Sequence, residues 1–140
     1  MSVVPEGSFG ERVVRRLGEE PVIWLTTVAA DGTPQPNPVW FVWDGDDHVL
    51  VYNRPDAHRL RHVEERPNVA LNLDGNGQGG DIVVLAGTAR RDDSMPAPHE
   101  NADYVAKYGE AMAQVSGDLE KFTAEYSVPL SIRIRRIRGH

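Results

Sequence analysis

The chain has 140 residues, enough for one domain with a buried core, and we predict a single domain over residues 1–140. Apolar residues make up 40% of the chain and charged residues 26%, a balance typical of globular rather than disordered proteins. The lack of cysteine excludes disulfides, thiolate nucleophiles and cysteine-ligated zinc, and the net charge of −6 argues against a general nucleic-acid-binding protein.

The first elements in chain order are a helix and a strand. Ser8 and Glu11 have the spacing of a capping box, which places Ser8 at the N-cap of an amphipathic helix that ends near Gly18. Residues 22–28 alternate as a strand does, and the Asp-Gly pair that follows them predicts a tight turn.

A segment of alternating prolines comes next. Pro34, Pro36 and Pro38 alternate with Gln35 and Asn37. Each proline removes a backbone donor, so this segment is predicted to be an edge strand or a bulged entry into a strand.

Two further strands and a helix follow. Residues 39–43 form an apolar run rich in β-forming residues, which predicts a strand buried on both faces. Residues 48–53 predict the returning strand. A helix then starts at Arg54 and Pro55, because proline is tolerated in a first turn, and Pro67 ends it.

The rest of the chain predicts three strands and a helical segment. The strands cover residues 69–73, 82–89 and 130–138, and the apolar period of the last one breaks after Ile134, which indicates a bulge. Residues 99–126 are predicted to be helical in two pieces, broken near Gly109 or Gly117. About six strands at hairpin spacing favour a closed barrel, so we predict a mainly β fold with flanking helices (α+β).

The sequence also carries expectations about location. The N-terminal residues lack the charged start and apolar core of a secretory signal. No apolar run approaches the roughly 18 residues that a membrane span needs. We therefore expect a cytoplasmic protein that binds neither membranes nor nucleic acid.

One candidate site is a basic cluster made of Arg54, His58, Arg59 and His62. A phosphate group favours a forked guanidinium and the free N–H groups at a helix start, and Arg54 comes directly before the predicted helix. For the cluster taken alone, a solvent-exposed basic face is the better interpretation. His58 and His62 have metal-ligand spacing, but no third ligand is evident, so no metal site is predicted.

A second candidate site consists of Gln35, Asn37, Val39 and Trp40. Side-chain amides and backbone groups freed by the prolines are able to bind the edge of a heteroaromatic ring, with an aromatic side chain packed nearby. An ordinary edge strand explains the same spacing equally well. No residue is nominated as catalytic, because the serines occupy cap or turn contexts.

Three ordered segments together resemble a known family. They are W-L-T-T-V-A-A-D-G-T-P-Q-P-N-P-V-W-F-V-W-D-G, then Y-N-R-P-D-A-H-R-L-R, then R-P-N-V-A-L-N-L. This order is similar to the pyridoxamine-phosphate-oxidase-like split β-barrel family, whose fold is also that of the FMN-binding proteins. It resembles more narrowly the branch that uses the deazaflavin coenzyme F-420.

The resemblance implies a function, a cofactor site and an assembly. It implies an oxidoreductase that transfers a hydride from reduced coenzyme F-420 to an unsaturated small molecule. The alternatives are a flavoprotein that binds flavin mononucleotide (FMN) and a non-catalytic protein that binds haem or stores a cofactor. The implied assembly is a homodimer with the cofactor at the subunit interface.

The same resemblance assigns roles to eight residues. The cofactor phosphate is expected near Arg54, His58 and Arg59, next to Asn53. Relatives usually have lysine in place of His58 and often serine in place of Asn53. The cofactor ring is expected against the proline-rich strand, at Gln35, Asn37, Val39 and Trp40.

Overall fold

The computed structural model describes residues 2–140 and shows one curled antiparallel sheet with helices around it. Over those residues there are seven β-strands, four α-helices and one short 3-10 helix. In chain order the elements are α1 (Ser8–Glu19), β1 (Ile23–Val28), β2 (Pro34–Val39), β3 (Val42–Trp43), β4 (His48–Asn53), α2 (His58–Glu65), β5 (Asn68–Asn72), β6 (Val83–Arg91), the 3-10 helix (Pro98–Glu100), α3 (Ala102–Ser116), α4 (Leu119–Glu125) and β7 (Val128–Gly139). None of the helices within residues 2–140 has the length and apolar composition required of a bilayer span.

The strands are hydrogen-bonded in the order β2-β1-β5-β6-β7-β4-β3, and every neighbouring pair is antiparallel. Because side chains alternate between the two faces of a strand, residues such as Leu25, Leu85 and Ile132 meet on the inner face and form the main core with α1. A smaller core lies on the opposite side of β4, where Leu50 and Tyr52 pack under α3 and α4. The predicted mainly β split-barrel fold with flanking helices is confirmed.

The alternating prolines lie on a sheet edge, as predicted. The N–H groups of successive strand residues point alternately to the two sides, and β2 pairs with β1 on one side. Gln35 and Asn37 supply the donors to β1, so Pro34, Pro36 and Pro38 face the free edge, which has no N–H group. The ladder over residues 2–140 therefore ends at β2 and at the two-residue β3, instead of closing as the strand count had suggested.

The prediction of a single strand over residues 39–43 is wrong. β2 ends at Val39, and only the last two residues of the run pair again, as β3. Between them the Trp40 ring stacks on aromatic rings of α3 and α4, and the Phe41 backbone bonds to side chains of α3. Tertiary packing thus overrides the β propensity of this apolar run.

Two predicted helix starts also differ from the structure. α1 begins at Ser8 itself, so Gly7, with a φ of 90°, is the N-cap, and no side chain caps the helix. α2 begins at His58 and not at Arg54. Residues 54–57 form a β-turn instead, in which the Ala57 N–H donates to the Arg54 carbonyl. Pro55 occupies the second position of this turn, which suits its fixed φ.

Two other irregularities were predicted correctly. The helical segment breaks at Gly117, whose φ of 95° ends α3. The bulge lies in β7, where one residue, Arg135, is extra between the partners of Ala86 and Gly87 on β6.

A buried arginine attaches α1 to the glycine-rich loop at residues 74–81. Arg16 is 7% exposed; its guanidinium donates to the carbonyl oxygens of Asp74 and Asp81 and pairs with Glu20 on its own helix. Arg12 bonds to the Asp81 carboxylate at 2.7 Å. The positive φ of Asp81, 55°, is thus fixed by two arginines of one helix.

We predict that Gly87→Ala destabilises the protein while Gly18→Ala does not. An added Cβ at Gly87 would lie 2.5 Å from the Arg133 carbonyl oxygen, because the bulge brings β7 close there. Overpacking of this kind costs about 1–3 kcal/mol. Gly18 lies in α1 with nothing within 4 Å, so alanine is expected to stabilise the helix by up to about 1 kcal/mol. Urea denaturation of both variants measures the difference, and equal stabilities would contradict the close approach at the bulge.

Candidate functional site

An aromatic pocket of about 260 Å³ lies between the end of β2, the side of β4 and the α3–α4 helices. Within the described part of the chain, its walls contain four tyrosine or phenylalanine side chains, one tryptophan, one arginine and no carboxylate. The lining residues are Pro38, Val39, Trp40, Tyr52, Arg59, Tyr104, Val115, Phe122 and Tyr126.

Stacked rings form one wall of this pocket. Trp40 lies parallel to Tyr108, with ring centroids 4.9 Å apart, and also stacks on Phe122 at 5.6 Å. Phe122 in turn stacks on Tyr126 at 4.4 Å. Each aromatic pair of this kind adds about 0.5–1.5 kcal/mol beyond the burial of its surface. The stack therefore joins α4 to the connection between β2 and β3.

The backbone next to Trp40 is held by two side chains of α3. The Phe41 N–H donates to the Tyr108 hydroxyl at 3.0 Å, and that hydroxyl lies 2.8 Å from the Pro21 carbonyl oxygen, to which it donates. Lys107 donates to the Phe41 carbonyl at 2.9 Å, and its Nζ lies 3.8 Å from the centre of the Phe41 ring. Burial lowers the pKa of Lys107 to about 8. These contacts fix the orientation in which Trp40 faces the pocket.

Among residues 2–140, Arg59 is the one charged residue in the pocket wall, and Asn53 positions it. The Arg59 Nε donates to Asn53 Oδ1 at 2.6 Å. The Asn53 amide donates to the carbonyls of Val51 and Val128, each at 3.0 Å, and the residue is 0% exposed. Asn53 therefore cannot contact a ligand and acts only through Arg59. Burial lowers the pKa of Arg59.

Arg54 and His58 do not line the aromatic pocket. Arg54 is exposed; its guanidinium lies 3.7 Å from Glu125 and 5.6 Å from the centre of the Tyr126 ring. A hydrogen bond with Tyr126 raises the pKa of Arg54. His58 is also exposed and lines a separate groove between α2 and the end of β6.

The inner face of β2 carries two exposed amides. Gln35 is paired with Thr27 and Asn37 with Leu25, and directly paired residues share a face of the sheet. Thr27 and Leu25 are each 1% exposed, whereas both amides are open to solvent. The inner face thus ends, at the open edge, in polar groups that no protein atom of residues 2–140 covers.

Three of the predicted site residues, Val39, Trp40 and Arg59, share the aromatic pocket, and Asn53 lies directly behind it. Gln35 and Asn37 lie farther along β2, Arg54 touches the rim through Tyr126, and His58 opens onto the other groove. The sequence analysis did not identify the aromatic site residues contributed by α3, by α4 and by Tyr126, which directly follows α4. Their signal was the i, i+4 spacing of two aromatic pairs, Tyr104 with Tyr108 and Phe122 with Tyr126.

Comparison with known proteins identifies a matching family and several solved structures of similar fold. A family model described as pyridoxamine 5'-phosphate oxidase matches residues 9–138. A search of curated protein sequences finds no match.

Three solved structures illustrate the likeness of fold. An F-420 reductase is 22% identical with a TM-score of 0.64, and the match covers 98% of this chain and 100% of that one. A putative pyridoxamine 5'-phosphate oxidase from Listeria innocua is 18% identical with a TM-score of 0.63, over 91% and 94% of the two chains. HutZ, the haem storage protein from Vibrio cholerae, is 16% identical with a TM-score of 0.60, over 92% and 91%. At these identities the likeness shows the fold alone.

We predict that the folded protein becomes more stable between about pH 8 and pH 9.5, and that Lys107→Met removes this rise. The pKa of Lys107 is lowered from 10.5 to about 8 in the folded state, so the unfolded chain binds more protons in this window and stability increases with pH. Above it, tyrosines such as Tyr108, whose pKa burial raises to about 12, have the opposite effect.

The matched control for this experiment is Lys121→Met, which removes the other lysine, an exposed one on α4. Urea denaturation at several pH values gives the slope for the three proteins. A wild-type slope that survives in Lys107→Met, or disappears in Lys121→Met, would show that the burial of Lys107 is not its cause.

Proposed function

Because the chain belongs to the pyridoxamine 5'-phosphate oxidase family, whose members are oxidoreductases that bind flavin-type cofactors, we propose that it is an oxidoreductase dependent on the deazaflavin coenzyme F-420. It would transfer a hydride from the reduced coenzyme to an unsaturated small molecule. The narrower choice of cofactor is supported by the resemblance of the ordered segments around Arg54 to the F-420 branch.

The observation that carries the proposal is the polar, uncovered end of the inner sheet face. Gln35 and Asn37 offer amide donors and acceptors there, at the place where the neighbouring strand is buried. A flat heteroaromatic ring with polar edge atoms fits such a surface, because it supplies both the hydrogen-bond partners and the missing cover. Arg54, just before α2, and His58, at its first residue, are both exposed and suit a phosphate group.

The volume of the aromatic pocket indicates where the cofactor would bind. At about 260 Å³ it lies below the roughly 300–1,000 Å³ of sites that take drug-sized ligands. A tricyclic cofactor with a phosphorylated chain is therefore expected along β2 and not inside this pocket. Val39 and Trp40 border both places, so a ring on β2 and a substrate in the pocket would be neighbours.

In this mechanism the cofactor, when bound, supplies the hydride, and the chain supplies orientation and shielding from water. Gln35 and Asn37 would bind the polar edge of the ring and set its height on the strand. Trp40, held by the stack on Tyr108, would keep water from one side of the reacting atoms. No side chain is assigned as a proton donor, since solvent is able to reach the open edge.

We also propose that the protein is a homodimer with the cofactor at the interface. The outer sheet face opposite the core is uncovered over β1, β5 and β6, and its residues in the middle of these strands are uncharged. On β7, Arg136 and Arg138 are paired with Ala86 and Val84 and border this surface. The face comprises Trp24, Thr26, Ala70, Val84 and Ala86, which the strand pairing places side by side. A two-fold copy is the commonest solution for such a surface. Because β2 is the neighbour of β1 in the sheet, the cofactor strand would lie beside this interface.

The cofactor proposal predicts that the protein binds coenzyme F-420 more tightly than FMN, and that Arg54→Ala weakens binding far more than Arg91→Ala. Loss of one charge-assisted contact to phosphate costs about 1.5–3 kcal/mol, or roughly 10–100-fold in affinity. Arg91 is the control because it is exposed at the end of β6, lines the same groove as His58 and pairs with Asp93, so it tests whether a nearby positive charge alone is sufficient. Fluorescence titration of each variant with each coenzyme measures the affinities.

Three other results would each point elsewhere. Tight FMN binding without binding of coenzyme F-420 would make the protein a flavoprotein of the same family. A Soret band in the purified protein, with no affinity for either coenzyme, would support a haem-binding protein. Equal losses in the two arginine variants would show that general electrostatics, and not a phosphate contact, determines affinity.

The assembly proposal predicts that Ala86→Arg converts a dimer to a monomer at micromolar concentration. Ala86 lies in the middle of the uncovered sheet face, and a buried unpaired guanidinium there is costly. Val14→Arg on α1, which is 46% exposed and lies on the core side of the sheet, is expected to leave the dimer intact. Sedimentation velocity measures the three proteins, and a monomeric wild type would remove the shared-site model.

A further inference from the structure

Three tyrosines are buried in the smaller core, and one of them has an unused hydroxyl. The Tyr52 hydroxyl donates to the Pro96 carbonyl, and the Tyr108 hydroxyl donates to the Pro21 carbonyl at 2.8 Å. Tyr104 is only 1% exposed, yet its hydroxyl forms no hydrogen bond with any group of residues 2–140. A buried hydroxyl without a partner costs free energy, so a ligand that supplies the partner is favoured.

The Tyr104 hydroxyl opens onto the aromatic pocket, because Tyr104 is part of the pocket wall. Within residues 2–140, the one polar side-chain atom that is both fully occluded and without a partner is the Ser116 Oγ. The unpartnered Tyr104 oxygen therefore retains a small accessible area. Since the whole residue is 1% exposed, that area faces the cavity that the residue lines.

The protonation state of Tyr104 determines what the ligand has to offer. Burial raises the pKa of Tyr104, and the neighbouring tyrosine hydroxyls raise it further. The group is therefore a neutral O–H donor throughout the neutral pH range. In the described part of the chain the pocket wall contains no carboxylate that could accept this bond, so the acceptor oxygen has to come from the ligand.

The other walls limit the body of the ligand. Trp40, Phe122 and Tyr126 stack in succession, so the ring faces along this wall are already engaged by one another. Aliphatic side chains, among them Val39 and Val115, line other parts of the cavity. A cavity of about 260 Å³ with such walls suits a compact apolar body smaller than a drug-sized ligand.

We propose that the aromatic pocket binds a compact, uncharged molecule whose acceptor oxygen, such as that of a ketone or an amide, receives a hydrogen bond from the Tyr104 hydroxyl. Arg59 in the same wall is expected to serve the cofactor phosphate, so Tyr104 is the residue that selects this ligand. The site itself does not depend on coenzyme F-420, and only the identification of the ligand as the substrate rests on the proposed function.

The first test compares the stabilities of two variants, Tyr104→Phe and Tyr52→Phe, which each remove one hydroxyl from a residue of the pocket wall. Tyr104→Phe removes a hydroxyl that has no partner, so the midpoint of urea denaturation is expected to stay the same or to rise. Tyr52→Phe removes a hydroxyl that bonds to the Pro96 carbonyl and the Asn101 amide, so the midpoint is expected to fall.

The second test measures the binding of cyclohexanone, a compact ketone, to the whole protein by NMR titration at pH 7 without any coenzyme. Tyr104→Phe is expected to weaken this binding about 3–10-fold, which is the effect of losing one hydrogen bond between neutral groups. Tyr52→Phe is the matched control and is expected to keep the wild-type affinity, because its hydroxyl is already engaged outside the cavity.

Several results would overturn the inference. A fall in stability or a failure to fold in Tyr104→Phe would show that its hydroxyl has a partner in the protein. Absence of cyclohexanone binding, or equal affinity of wild type and Tyr104→Phe, would show that the hydroxyl does not bind the ligand. Cyclohexanecarboxylate is the charged probe, and if it binds more tightly than cyclohexanone, the pocket selects an anion through Arg59 instead.

Titration with coenzyme F-420 and FMN then separates this inference from the proposed function. If cyclohexanone binds through Tyr104 and neither coenzyme binds, the proposed cofactor is wrong while the pocket stands. If coenzyme F-420 binds and cyclohexanone does not, the inference is wrong while the proposed function stands. If a coenzyme displaces cyclohexanone competitively, Tyr104 belongs to the cofactor site and the inference is overturned, whereas simultaneous binding supports both.

Discussion

The backbone chemistry of proline at one sheet edge determines what the rest of the molecule presents to its surroundings. Three prolines at alternate positions of β2 leave its outer edge without donors, so no further strand is able to continue the ladder there. The barrel stays open beside β2, and the largely apolar inner face ends in the amides of Gln35 and Asn37. An edge that cannot pair with a strand thus becomes a surface able to bind a ring.

The second determinant is the packing of α3 and α4 against the back of β4. These helices bring their aromatic rings to Trp40 and fix the Phe41 backbone through Lys107 and Tyr108. On the sheet side, Asn53 transmits the position of β4 and β7 to the Arg59 guanidinium. A rigid aromatic wall and an oriented cation therefore meet in one pocket, although residues more than sixty positions apart supply them.

The sequence predicted the parts of this structure that depend on local chemistry. Period-two alternation, Asp-Gly turns and the broken period after Ile134 identified strands, hairpins and the bulge, and the prolines identified the edge. The errors arose where distant packing decides: the run at 39–43 leaves the sheet because Trp40 stacks on helices encoded far downstream. The burial of Asn53 was equally impossible to predict from the sequence, since its partners Val128 and Arg59 lie on β7 and α2. The resemblance placed Asn53 in the cofactor site, whereas in the structure its side chain positions Arg59.

The hydrogen bonds from Arg16 to the glycine-rich loop at residues 74–81 affect local unfolding of the protein. Arg16 binds two carbonyls of residues 74–81 from within α1, so the loop cannot leave the surface without extracting a buried guanidinium from its acceptors. Glycine-rich loops ordinarily exchange their amide hydrogens by independent local fluctuation. We therefore expect the amides of this loop and those of α1 to exchange together, so that the N-terminal helix and a loop about sixty residues away open as one cooperative unit.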